Sequence, residues 1–191
     1  PISITLAFVA GIAATLQAGI SGQLARELND GIMAALISNI GGTIFTGLFL
    51  LNPEVRKKCK KLFQDVVSGK FAKWQLLGGV AGAIYISTAS STVSIIGTGL
   101  FTVVLVASQN MSGIVVDRFG LSSGSRKKIT PKRSIAAVIG IAAVLLSVTD
   151  FQGKILWIPI VAVVMAGVAV TVQFALNGRV TKAANSQVSA F

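Results

Sequence analysis

Six apolar runs, separated by short polar or basic segments, organise this chain. The first extends from about Ile2 to Leu24 and stops at the polar turn Arg26 to Gly31. The second covers about Ile32 to Leu51. After Trp74 come a third run, about Gln75 to Ile96, and a fourth, about Leu100 to Val116, with Gly97-Thr98-Gly99 as a tight turn between them. The fifth, about Ser134 to Thr149, is short. Asp150 to Lys154 leads into the sixth, about Ile155 to Asn177, with Trp157 where an interfacial aromatic belongs. An α-helix needs roughly 20 apolar residues to cross about 30 Å of hydrocarbon. The pattern therefore predicts an all-α, polytopic membrane helix bundle.

One segment has a different pattern. Asn52-Pro53-Glu54 has the order of a helix start: cap, first-turn proline and early acid. Beyond it Val55, Cys59, Leu62, Phe63, Val66 and Val67 recur at helical spacing, while Arg56, Lys57, Lys58, Lys60 and Lys61 fill the other face. Two readings fit: a short helix lying on anionic headgroups, or a solvated basic loop.

Composition agrees with a lipid solvent. Of 191 residues 53% are hydrophobic and only 12% charged, against roughly 25% charged in a soluble domain. Mean hydropathy is +0.79. No long polar block could fold as a separate soluble domain. The net charge of +11 would suggest nucleic acid in a soluble protein. Here it is a topology signal, because 15 of the 17 Lys and Arg residues fall on one side of the predicted bundle. They lie in 52–74, in 118–133 and after the sixth run; only Arg26 and Lys154 fall on the other side. The positive-inside rule then places the N-terminus and both long loops in the cytoplasm. The first run has no basic flank before it, so it reads as a retained helix and not a signal peptide.

Chemistry-bearing groups are few. With one cysteine, Cys59, and no histidine, no zinc-type set and no disulfide within the chain are expected. No catalytic, metal, phosphate-loop or cofactor constellation is evident. Gly78 and Gly82 form GxxxG in an apolar helix, the pattern of close helix packing. Polar residues within apolar runs are costly and usually face protein or water. These are Gln17 and Ser21 in the first helix, Tyr85, Ser87, Ser90, Ser91 and Ser94 in the third, Gln109 and Asn110 in the fourth, and Gln173 and Asn177 in the sixth. The serine stripe can be satisfied by its own helix carbonyls. Gln17 and Gln109 are better candidates to line a cavity, because a primary amide has more groups than one neighbouring helix readily satisfies. The candidate cavity set is therefore Gln17, Ser21, Tyr85, Ser87, Ser91, Gln109, Asn110, Gln173 and Asn177. Asp117 is the deepest carboxylate and is expected to pair with Arg118 or with an Arg or Lys of the following loop.

An internal repeat is the most informative feature of this pattern. At a spacing of 156 residues, Gly11, Thr15, Gln17, Gly22 and Asn29 match Gly167, Thr171, Gln173, Gly178 and Asn185. Five helices separate the copies, so the second enters the membrane from the opposite side, as in inverted-topology transporters. Residues 1–150 read as a first five-helix repeat and 151–191 as the start of a second, with Phe191 matching Ala35. The sixth helix must then lean on the first five, or on another chain, to cover Gln173 and Asn177. The expectation is a longer polypeptide or an oligomer: a homodimer, or a partner supplying the second repeat.

Gln17, Ser21 and Leu24 in the first helix, with Ser108-Gln109, Ser112 and Asp117-Arg118-Phe119-Gly120-Leu121 at the fourth, resemble the YdcZ-like family of the drug/metabolite transporter superfamily, in its fused two-copy form. The likeness covers five helices and the start of the sixth. It departs from the family pattern at Ser21, where the pattern has Asn, and at Ser108, where it has Gly. The resemblance implies a transporter of an unidentified small solute in the bacterial cytoplasmic (inner) membrane, with membrane lipid as its surroundings and no nucleic-acid partner. Proton-coupled relatives in that superfamily carry a glutamate inside the first helix, and this chain has none there. The competing reading is a non-transporting membrane assembly or interaction subunit. An amide-lined cavity would favour transport; amides bonded to one another would favour assembly.

Overall fold

The structure, a computed structural model, describes residues 2–69, 74, 77–120, 130–149 and 157–183. The expected turn at Asp150 to Lys154 lies outside them. Six α-helices follow one another: α1 (Ile2–Glu27), α2 (Gly31–Gly47), α3 (Pro53–Val67), α4 (Gly78–Arg118), α5 (Pro131–Thr149) and α6 (Trp157–Ala183). A 3-10 turn, Leu48–Leu51, joins α2 to α3. No strand occurs among the described residues.

The main departure from the expected order is α4. Its 41 residues would extend about 60 Å if straight, twice the thickness of the hydrocarbon layer. It is broken at Gly97, whose φ of 77° and ψ of 160° lie in a region essentially reserved for glycine. The contacts of α6 give the direction of each arm. Going up α6, Gln173 and Asn177 face Gly82 and then Gly78, so α6 opposes the arm before Gly97. Gly167, Thr171 and Arg179 meet Ser108, Ser112 and Gly120 in rising order, so α6 runs with the arm after it. The arms are therefore antiparallel, a hairpin of two segments of about 20 residues each. The turn needs one residue, where the sequence suggested three.

Among the described residues four helices are long and apolar enough to cross a membrane, α4 among them, and the apolar stretch of α5 is shorter. Counting both arms of α4 and including α5 returns six crossing segments, the number the apolar runs suggest. α1 reaches Glu27, about a turn beyond its apolar run, α5 begins at Pro131, and α6 continues past Asn177 to Ala183.

The core follows α4. Val93, Phe101 and Val104 on its arms and Val163 on α6 are almost wholly buried, with Ala18 of α1 in the same cluster. Small residues set the approach: a side chain at Gly22 would collide with Val93, and one at Gly167 with Ser108. The outer surface is apolar, with Leu6, Ile20, Ile44, Leu146 and Ile158 all exposed, as suits helices that meet lipid.

The basic segment is helical, as α3. Asn52 accepts from Glu54 N at 2.9 Å, and Pro53 takes the first position. Val55 is buried near the 3-10 turn, whereas Phe63 and Val67 are exposed.

The end of the bundle away from Gly97 gathers cations. Arg133 pairs with the largely buried Asp117, so the carboxylate takes a partner from the next helix. Arg179 donates to Gly120 O at 3.1 Å, and its guanidinium lies 5.2 Å from the centre of the Trp74 ring. Trp74, Asp117, Arg133 and Arg179 thus share one end.

Candidate functional site

A cavity of about 980 Å³ opens between α1, both arms of α4 and α6. Each element contributes one polar side chain of the expected set: Gln17 from α1, Tyr85 and Gln109 from the two arms, and Gln173 from α6. Gln17 and Gln173 thus line one cavity. Thr15 and Thr102 lie on the same wall, but their hydroxyls donate to Gly11 O at 3.0 Å and Thr98 O at 2.7 Å on their own helices.

The three amides are different. Among the described residues none of the side chains of Gln17, Gln109 or Gln173 hydrogen-bonds to a protein group, whereas Asn39 donates to Ala35 O at 2.9 Å. Three donor-acceptor groups therefore remain available to whatever enters. Gly82 explains the position of one: a methyl there would come within 2.6 Å of Gln173 Nε2, so the missing side chain makes room for the amide. Tyr85 is half-buried, its ring 6.4 Å from that of Phe101 at 38°. The rest of the wall is apolar or aromatic, and no Asp, Glu, Lys or Arg lines it among the described residues.

The other candidates lie elsewhere. Ser21 is buried and shares a 3.2 Å hydrogen bond with Ser38 of α2. Ser91 packs against Gly31 at the start of α2, and its carbonyl accepts from Ser94 Oγ at 2.7 Å. Ser87 is half-buried away from the cavity wall. Asn110 is exposed, because it points about 100° around the helix from Gln109. Asn177 packs against Gly78. Gly78 and Gly82, read as a packing motif, thus receive two α6 amides, one as helix contact and one at the cavity.

Phe8, Phe174 and Thr102 are wall residues that the sequence did not single out. Thr102 stands seven residues before Gln109, two turns away on one face, and that spacing was the available signal. The phenylalanines resemble any lipid-facing aromatic until α1 and α6 are placed. A second furrow of about 630 Å³ between the second arm of α4, α5 and α6 has an almost wholly apolar wall, including Met111, Ile141, Leu145 and Val164. No group of three or more His, Cys, Asp or Glu able to hold a metal occurs among the described residues.

A bundle of apolar helices around a polar-edged cavity is the form of a polytopic membrane transporter. The family assignment agrees with that class. Residues 2–146 match the family described as "Putative inner membrane exporter, YdcZ", and the chain belongs to it. It is a multi-pass inner-membrane protein of the transporter type. No curated protein and no solved structure matches the chain.

Proposed function

We propose that the chain binds and moves a small uncharged solute through the cavity edged by Gln17, Tyr85, Gln109 and Gln173. One observation carries this reading: the three amides edge a common cavity without bonding to the protein. Gln17 is exposed and Gln109 and Gln173 are half-buried, so their amide groups are open to the cavity, where water and a passing solute can bond them. Amides used to hold an assembly together would be bonded to one another, so the reading as a non-transporting subunit has less support.

The charge pattern supports an N-terminus in the cytoplasm, with the basic end of the bundle there too. In that orientation the cations of α3, Arg56, Lys57, Lys58, Lys60 and Lys61, rest on the inner leaflet, and Phe63 and Val67 enter it. Residues 1–150 form the first repeat and 151–191 open an inverted second one. A homodimer or a second-repeat partner would then extend the cavity wall beyond α1. Among the described residues no acid lines the cavity wall, which argues against exchange on a single buried glutamate.

Substrate-screened uptake in proteoliposomes tests the reading. Gln109→Leu should abolish most transport while membrane insertion and yield stay near wild type. Equal loss of both would assign Gln109 to packing.

A further inference from the structure

Tyr85, Phe8 and Phe174 stand around the same space as the three amides, with Phe101 buried behind Tyr85. Ring faces and carboxamide edges together suit one kind of guest. Aromatic faces favour a flat π-system by offset or edge contact. A glutamine amide offers a donor and an acceptor side by side, the arrangement that pairs two-pronged with the edge of a planar heterocycle. Among the described residues no cation or carboxylate lines the wall to compensate a charged guest, and an ion moved there without one would meet a steep desolvation penalty. A wholly apolar guest would leave the amides desolvated and unpaired. A flexible polyol would use the amides but leave the rings idle.

Resting on the transport-cavity reading above, we propose that the cavity accepts planar, uncharged heteroaromatic compounds bearing an amide-like hydrogen-bonding edge, held by Gln109 and Gln173 and stacked beside Tyr85. Gly82 tunes the fit, because its missing side chain lets the Gln173 amide sit close to the first arm of α4. Gln17, on the α1 side of the same cavity, offers a third amide to the guest.

Equilibrium binding of tritiated adenine, uracil and nicotinamide to the full chain in lipid nanodiscs tests this. Benzoate and benzamidine serve as planar charged competitors and mannitol as an uncharged non-planar one. The expected result is saturable binding of a neutral planar probe that the other two displace and the three comparators do not. Gln109→Leu and Gln173→Leu should each weaken it about tenfold or more, the scale of a lost two-pronged contact. Gln173→Asn, which keeps the amide but draws it back, should give an intermediate loss. The proposal is overturned if no planar probe binds, if a comparator competes as well, or if binding ignores every glutamine substitution. Gln109→Cys on a Cys59→Ser background separates the two levels. If its thiol reacts with a small hydrophilic maleimide while the planar probes fail, the guest class is wrong and the cavity stands. If the thiol is inert, both fall.

Discussion

Gly82 and Gly22 carry the same residue type for different reasons, and substitution should separate them. At Gly22 an added methyl meets Val93, within 2.7 Å of its Cβ and 3.4 Å of its carbonyl carbon. Val93 is fully buried and β-branched, so it cannot swing aside. Gly22→Ala should cost about 1–3 kcal/mol, seen as a lower midpoint in thermal or denaturant unfolding. At Gly82 the nearest atom is the free end of the Gln173 side chain, which can move. Gly82→Ala should leave the unfolding midpoint near wild type and reduce transport. The residue types in the cavity were legible before the fold: Gln17, Gln109 and Gln173 stand out because primary amides are expensive in apolar helices. Which of their neighbours share the space was not. A helical period places Ser87, Ser91 and Ser94 on one stripe but leaves open which way the stripe turns, and Gly31 settles that by claiming Ser91.

At the scale of elements, caps and breaks were the readable features. Asn52-Pro53-Glu54 starts α3 as its chemistry suggests; Asp30, read from the sequence only as part of a polar turn, caps α2 by accepting from Ile32 N at 2.8 Å and Met33 N at 3.0 Å. Asp30→Ala should therefore cost about 1 kcal/mol, measurable in the same unfolding assay. Between α4's arms the turn was legible from Gly97, but its length was not, because one glycine in the right region of φ and ψ can reverse a helix. Nothing lies within 4 Å of where a Cβ at Gly97 would stand, so Gly97→Ala isolates backbone strain. It should cost about 1–3 kcal/mol without any steric clash. The ends of α1, α5 and α6 overran their apolar runs because helices continue into the interface, where hydropathy falls before the hydrogen-bonded ladder stops.

Viewed whole, the molecule has a polar axis that the charge count already traced: Trp74, Asp117, Arg133 and Arg179 gather at the end opposite Gly97. The native Cys59, on α3 and half-buried, gives a direct reading of orientation. In intact cells a membrane-impermeant maleimide should leave it unlabelled, and disruption should expose it; labelling from outside would reverse the assigned orientation. The residues that match at a spacing of 156 do not pack alike. Gly22 meets Val93 and Gly167 meets Ser108, while among the described residues Gly178 and Gly11, matched to them by spacing, have nothing within 4 Å. α1 docks near the bend, with Gly19 beside Thr98, whereas α6 runs along both arms. Sequence periodicity cannot express that difference. That the amides edge a solvent-reached path, and not a sealed core or a lipid face, is tested most directly by single cysteines at Gln17, Gln109 and Gln173 on a Cys59→Ser background, each exposed to a hydrophilic thiol reagent. Ile40, 59% exposed in the middle of α2 and off the cavity wall, serves as a lipid-facing control. All three cavity thiols should react and the control should not; inert thiols at all three, or reaction equal to that of the control, would contradict the cavity.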